Sequence, residues 1–424
     1  VYDGLVVESK NRWPSLNFDF GSINSIFSKL IPAGFYYKTF MWPSSMWEKY
    51  EWFIRHAAGL GKAAEEHQDP DRYEHINYHC DILIAGGGLS GLIAAYISGL
   101  SGARVVIADE KPELGGNLLY EDDITIDGSK GSSWAKKIEQ ELEEMENVRI
   151  LKRSCVFGYH DHNFITISER CSDHLDLPPS NLPRQRLWKV RSKQVLLAQG
   201  MHERPQVISG NDIPGVMLSS AVRGYINKFG VLPGKTAVIA TNNDDAYRTA
   251  ITLHKAGIKV LAIVDSRNEN NNDLLKTLKK YNIRIFTGHV VSSIHGKKSV
   301  KSVEVAPLAE DGKDISALPF KLSVDLVAMS GGWTPIVNLF SQSGGKLEWN
   351  EKFGYFKPKF HRQNELSIGG SNGTFDVQEC INETIKQTNE ILVRIGKKKN
   401  SKFSLSANFI KLNYIPRNIW LVPN

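Results

Sequence analysis

Cysteine is scarce in this chain: four among 424 residues, at positions 80, 155, 171 and 380, with no C-x-x-C pair and no repeated spacing. That scarcity argues against a disulfide framework, a cysteine-built zinc module and a redox-active dithiol, and it fits a reducing compartment. Long apolar runs are missing too. None reaches the roughly 20 residues that a membrane-spanning helix needs, and the first residues lack the basic-then-apolar pattern of a secretory signal. A cytoplasmic location with no membrane anchorage is therefore expected. Charge of one sign is not gathered into blocks either: the net charge is +6, but acids and bases interleave, so nucleic acid is not expected as a partner. The one basic cluster, Lys397 to Lys399 with Lys402, reads as a solvated linker. A methionine start is also lacking, and the chain opens at Val1 inside sequence that reads as ordered. A segment of a longer protein is expected.

What is present is room for two or three domains with cores that need no staples. The organising stretch is His79-Cys-Asp-Ile-Leu-Ile-Ala-Gly-Gly-Gly-Leu-Ser-Gly91, then a helical run, then Ala103-Arg-Val-Val-Ile-Ala-Asp-Glu110. A buried strand over 81–85 feeds a turn in which Gly86, Gly88 and Gly91 take the glycine positions of G-x-G-x-x-G, and 92–100 continues as a helix. Gly86 permits the tight turn, Gly88 lets the backbone approach a pyrophosphate, and Gly91 lets the helix pack on its strand. The helix N terminus offers free N–H groups and a positive dipole end to the phosphates. A second strand, 104–108, ends in Asp109 and Glu110, where a carboxylate is expected to accept ribose hydroxyls. A glycine turn without a ligand is the alternative. The register of strand, glycines, helix, strand and acid speaks against it.

Along the chain, residues 1–79 carry no binding loop. Aromatic residues crowd 35–53, either as the core of a small domain or as an interface, and Trp47 to Leu60 reads as one helix ending near Gly59 or Gly61. His75, His79 and Cys80 lack a fourth ligand, so no metal site is assigned. After the nucleotide loop, Leu114-Gly-Gly116 and Asn117 form a second glycine turn. Ser132 and Ser133 cap a helix through Glu146, and 148–156 reads as a strand whose Val156 falls where such folds hold an adenine. A hairpin tip follows at 159–163. The strand 194–198 runs into Gln199-Gly200, the returning half of a dinucleotide domain, and Arg204 beyond it is a candidate phosphate or partner contact.

The middle of the chain repeats this architecture without the glycines. Strand 235–240, helix 244–254 closed by Gly257, and strand 260–264 ending in Asp265 surround the loop Thr241-Asn-Asn-Asp-Asp-Ala246. Asp244 and Asp245 would put negative charge where a pyrophosphate must sit, so this second unit is not expected to bind a dinucleotide in the ordinary way. The first domain is expected to resume at 324–328. A strand and glycine turn at 366–375 follow, with Gly370 and Phe375 as cofactor contacts, then a helix over 376–395.

Several long strings carry a family resemblance: Pro32-Ala-Gly-Phe-Tyr-Tyr-Lys-Thr-Phe-Met-Trp-Pro43, Asp109-Glu110 with Leu114-Gly-Gly116, His202-Glu-Arg-Pro205, Asn211-Asp-Ile-Pro-Gly-Val-Met217, Asn242-Asn-Asp-Asp-Ala-Tyr-Arg248 and Ser330-Gly-Gly-Trp333. With them the chain resembles the alpha subunits of heterotetrameric sarcosine oxidases along essentially its whole length. The fold implied is α/β, with two Rossmann-like dinucleotide-binding domains of the FAD/NAD(P)-binding, pyridine nucleotide-disulfide oxidoreductase type. The second is inserted in the first, and a partial small N-terminal domain precedes them.

The boundaries expected are 1–79 for a remnant of a ferredoxin-like domain and linker, 80–210 with 323–395 for the NAD-binding domain, 211–322 for the second unit, and 396–424 for a basic linker and tail. The family's C-terminal folate-binding domain, which resembles aminomethyltransferase, is not expected within these 424 residues. The resemblance implies NAD in this chain, held by Gly86, Gly88, Ser90, Gly91, Asp109, Glu110, Lys111, Gly116, Asn117, Val156, Gly200, Gly370 and Phe375. It also implies a beta subunit that carries FAD, with FMN at the alpha–beta interface, and smaller gamma and delta subunits. The complex demethylates sarcosine oxidatively to glycine and forms hydrogen peroxide. No residue of this chain is expected to be catalytic. Adjacent carboxylates at 109 and 110 favour NAD over NADP by repelling a 2′-phosphate, with Lys111 working against them. Two other readings stay open: the corresponding subunit of an opine-, proline- or glycine-oxidising dye-linked dehydrogenase, and a free-standing pyridine-nucleotide reductase, which the missing dithiol disfavours.

Overall fold

The computed structural model describes residues 12–15, 17–27, 30, 34, 40–60, 71–269 and 273–424. Residues 35–39 of the aromatic run, and Gly61, lie outside them. The chain divides into two units, Val1–Tyr73 with Cys171–Gln185, and Glu74–Arg170 with Arg186–Asn424. In the smaller unit the expected helix spans Trp47–Ala58 and stops at Gly59, whose φ of 68° is a left-handed cap. Its Trp52 and Phe53 are exposed, so these two rings do not make a core of their own.

The larger unit is built on two main sheets, with smaller ones beside them. The first begins with β1 (Tyr73–Ala85), which places His75 and His79 on a strand. The glycine turn leads to α1 (Leu89–Leu100), then β2 (Val105–Ala108) and α2 (Gly131–Glu143). α2 starts at Gly131 with Lys130 in the capping position, so Ser132 and Ser133 lie in its first turn and do not cap it. The single strand expected over 148–156 is two, β3 (Val148–Leu151) and β4 (Ser154–His160), because Arg153 turns the backbone at a φ of 52°. β5 (Phe164–Arg170) closes the expected hairpin, and β6 (Gln185–Leu197) follows.

The chain then leaves this sheet. β7 (Val216–Leu218), α3 (Ser219–Asn227), β8 (Thr236–Thr241), α4 (Asp245–Lys255), β9 (Lys259–Asp265) and β10 (Arg284–Thr287) build the second unit, with a three-stranded antiparallel sheet over 289–323 against it. β11 (Leu326–Ser330) corrects one expectation: it pairs in parallel with β8 and β7, so 324–328 belongs to the second sheet and the first resumes only beyond Ser330. Its five residues are all buried, as a central parallel strand requires. β12 (Glu365–Ser367) returns to pair with β6, and α5 (Val377–Arg394) is capped by Asp376, whose side chain accepts from the Glu379 N–H. The first sheet runs β3-β2-β1-β6-β5-β4 with β12 beside β6, and the second runs β7-β11-β8-β9-β10.

Alternation along these strands splits each sheet between two cores. Ile82, Ile84, Val105 and Ile107 pack under α1, α2 and α5, while Leu83, Ala85, Val106 and Ala108 face the other way, towards Ile165, Ile167 and Trp188. In the second sheet Ala237 and Ile239 pack against α3 and α4, and Val238 and Ala240 against the antiparallel layer. The segment 396–424 is no solvated linker. Phe403, Leu405 and Phe409 join the first core, Ile410 and Leu412 join that of α3 and α4, and Val422 is buried in the antiparallel layer's core. Lys397 donates to the Gly102 carbonyl at 2.6 Å, so even the basic cluster begins with a docked residue.

Candidate functional site

A cavity of about 480 Å³ opens where the parallel strands of the first sheet end. It falls in the range of roughly 300–1,000 Å³ typical of small-molecule sites. Sheet order sets its long direction: β2 lies on one side of β1 and β6 with β12 on the other, so Asp109 and Glu110 flank the glycine turn from one side, Gly200 and Gly370 from the other. Of the thirteen residues expected to hold a cofactor, all but Gly91 line this cavity.

Each glycine of the turn has its own constraint. Gly86 has a φ of 108° and donates its N–H to the Ala108 carbonyl at 2.8 Å, and a Cβ there would overlap the Ala198 carbonyl. A Cβ on Gly91 would overlap the carbonyl of Gly86, which explains why Gly91 supports the turn from behind. Gly88 is different: a Cβ there comes no nearer than 4.0 Å to another atom, the Cα of Gly116, so a side chain would enter the cavity. Gly88 is also the first-turn boundary of α1, and no side chain caps that helix. Its leading N–H groups are left for an anionic ligand. This cradle, open only because residue 88 has no side chain, fits the pyrophosphate of a dinucleotide.

Asp109 does more than was expected. Its carboxylate accepts the Gly87 N–H at 2.7 Å and the Lys111 N–H at 2.8 Å, bracing the turn while its remaining lone pairs face the cavity. Glu110 is exposed at the rim. Lys111 is drawn aside: its ammonium donates to the Tyr120 hydroxyl at 2.6 Å and lies 5.1 Å from that ring's centre. Gly200, at a φ of 79°, donates its N–H to Ser371 Oγ at 3.0 Å, and Gly370 packs so closely that a Cβ would meet Met201 Cγ at 2.6 Å. Arg204, a candidate phosphate contact, instead donates inward to the carbonyls of Phe353 and Gly354.

The far end of the cavity is a charged network that the sequence did not reveal. Arg223, fully buried, donates to Glu121 at 3.0–3.1 Å, to Asp245 Oδ2 at 2.8 Å and to Thr249 at 2.8 Å. Arg248 reaches Glu121 at 2.7 Å and Asp245 Oδ1 at 3.1 Å, and also pairs with Asp123. Burial alone would raise the Asp245 carboxyl, but the two guanidiniums outweigh it and hold it below the ordinary range. Glu203 is different again: burial, then repulsion from Asp245, push it up to about 7 against the pull of Arg223 and of two hydrogen bonds from Ser220.

The degenerate loop is filled from within. Asp244 accepts from Arg267 at 2.7 Å and from the Asn413 N–H at 2.9 Å, so the negative charge expected to repel a phosphate is already paired. Asn243 bridges to Ser330 at 3.0 Å and caps the Asp245 N–H at 3.0 Å. The only sequence signal for this network was the (i, i+3) spacing of Asp245 and Arg248. Glu121 and Arg223 come from distant segments and had none.

Residues 81–163 match the FAD dependent oxidoreductase family. The chain is 42% identical over 398 residues to the sarcosine oxidase alpha subunit of Rhizobium meliloti (strain 1021), covering 93% of this chain and 39% of that protein. It is 24% identical to an opine oxidase subunit of Agrobacterium tumefaciens (strain Ach5), over 66% of this chain and 57% of that one. Among solved structures, L-proline dehydrogenase from P. horikoshii superposes with a TM-score of 0.57 over 79% of this chain and 59% of that one, at 18% identity, which speaks to the fold alone. No helix among the described residues is long and apolar enough to cross a membrane. The chain spans about two fifths of the length of the curated sarcosine oxidase relatives it matches, and over that span it is similar to sarcosine oxidase alpha subunits.

Proposed function

We propose that this chain is the NAD-carrying part of the alpha subunit of a complex that oxidatively demethylates sarcosine to glycine with formation of hydrogen peroxide. One observation carries the reading: in a chain 42% identical to a sarcosine oxidase alpha subunit, a single cavity gathers the glycine turn, the uncapped N terminus of α1 and the adjacent acids Asp109 and Glu110. Gly86, Gly88, Ser90 and Gly91 form the pyrophosphate cradle. Asp109 and Glu110 take the adenosine ribose with Val156 against the adenine, and Gly116, Asn117, Gly200, Gly370 and Phe375 line the rest. Bound there, NAD supplies a nicotinamide able to accept hydride. This chain's residues hold it, orient it and shield it. Two carboxylates at the ribose, with Lys111 tied to Tyr120, favour NAD over NADP. Amine oxidation belongs to a flavin-bearing beta-type partner with FAD, FMN lies at the interface with it, and smaller gamma and delta subunits complete the assembly in the cytoplasm. Residues 80–210 and the segment from about 331 to 395 form the NAD-binding domain, and 211–330 the second.

The test is to co-purify the chain with its partner subunits, release bound nucleotides by denaturation, identify them, and assay sarcosine-dependent peroxide. NAD is expected in stoichiometric amount with this chain. Recovery of FAD alone from the isolated chain would overturn the cofactor assignment. The similarity to the opine oxidase of Agrobacterium tumefaciens supports a second reading, an opine as substrate. Turnover of an opine with none of sarcosine would favour it.

A further inference from the structure

The cavity has two ends, and the adenosine end occupies only one of them. Opposite it, past Gly200 and Gly370, the wall is made by Phe375, Tyr414 and the Arg223 network. Tyr414 comes from the C-terminal segment, and two latches hold it there. The Asn413 N–H donates to Asp244 and its carbonyl accepts the Asp244 N–H at 3.1 Å, and three residues beyond Tyr414 the Arg417 N–H reaches the Asn242 carbonyl at 3.3 Å while Asn242 Nδ2 donates back to the Arg417 carbonyl at 3.1 Å. Between these latches the tyrosine ring stacks on Phe375, centroids 5.0 Å apart and planes 25° from parallel, and Phe375 stacks in turn on Phe353 at 5.1 Å. The ring is therefore fixed on both its backbone and its face.

Its hydroxyl differs from the acids beside it. Glu121 and Asp245 are each bound by both Arg223 and Arg248, whereas the Tyr414 hydroxyl has no hydrogen-bond partner among the described residues. Burial first, and then the nearby Asp245 and Glu121 carboxylates, raise its pKa, so it stays protonated and able to donate. Two other groups of lining residues, the indole N–H of Trp333 and the amide oxygen of Gln199, are buried without a partner among the described residues. A buried donor left unmatched costs about 1–3 kcal/mol, a cost that a ligand group placed there would remove.

Resting on the dinucleotide reading above, we propose that Tyr414 completes a distal subsite of this cavity and donates its hydroxyl hydrogen to a carboxamide oxygen carried by a flat ring at the end of the ligand remote from adenosine. The aromatic stack of Phe375 and Tyr414 sets the angle of that hydroxyl, and the paired arginines and acids keep the subsite polar without a net unpaired charge in it. Tyr414 is thus a positioning residue supplied by a segment that the sequence presents as a tail.

The experiment uses the full chain stripped of nucleotide and titrates it with NAD and with ADP-ribose, which lacks the carboxamide ring, before and after Tyr414→Phe. Loss of one neutral hydrogen bond is expected to weaken NAD binding roughly five- to tenfold, with ADP-ribose affinity unchanged within about twofold. Retained ADP-ribose binding also certifies that the variant is folded. An equal loss for both ligands, or no loss for either, overturns the assignment of Tyr414 while leaving the dinucleotide reading intact. If the unmodified chain binds neither ligand, the dinucleotide reading falls, and this proposal with it.

Discussion

Gly88 is the residue at which a single atom group separates folding from binding. A side chain there meets empty space inside the cavity, whereas one at Gly86 or Gly91 meets backbone. Gly88→Val is therefore expected to leave the circular dichroism spectrum and melting temperature near those of the unmodified chain while the NAD content falls below about a tenth of it, since the phosphates can no longer approach the turn. Glu203 makes a different prediction. Its folded pKa is raised to about 7 from an ordinary 4.5, so between these values the unfolded chain gives up the proton and the folded chain keeps it. Its contribution is thus present below about pH 4.5 and lost as pH rises through about 7, on the order of 3 kcal/mol in all. Urea titrations at pH 5 and pH 8 are expected to show Glu203→Gln flattening this part of the pH dependence. A variant whose stability keeps the original slope would disprove the assignment.

Among elements, those with a strong local signature were legible in advance. The end of β1, the glycine turn, α1 and β2 stand where their apolar runs and glycines put them, although β1 starts eight residues before the expected 81, at Tyr73, and α5 begins at the capping Asp376 and ends at Arg394. What sequence did not disclose depended on partners far along the chain. β11 reads like any buried parallel strand, and nothing local says which of two sheets will take it. The final segment alternates apolar and polar residues from Phe403 through Leu405 and Ala407 to Phe409, and again at Ile410 and Leu412, but nothing local says which cores those residues enter. Its docking rests on those residues. Leu412→Asp sets a carboxylate against the core of α3 and α4 and is expected to lower stability by about 1–3 kcal/mol, measured by urea unfolding. Replacing Lys398 by Ala should leave it within about 0.5 kcal/mol. Equal effects of the two would mean that the segment is not packed as described.

At the scale of the whole molecule, the residues that sequence singled out along the cavity lie mostly between Gly86 and Val156, with Gly200, Gly370 and Phe375 beyond. The pyrophosphate and adenosine portions of the proposed site come from that first, continuous run, where spacing alone carries meaning. The opposite end combines Glu121, from that same run, with Arg223, Arg248, Phe375 and Tyr414, which reach it because the chain departs into a second sheet and comes back. That excursion has a consequence in time. β12 must find β6 across about 170 residues of intervening chain, and Tyr414 is made about 330 residues after Gly86. At a synthesis rate of about 5–20 residues per second, the glycine turn waits roughly 15–65 s for its far wall. A newborn chain in that interval has the glycine turn but not the residues of the opposite wall, so the cavity is complete only once Tyr414 has been made.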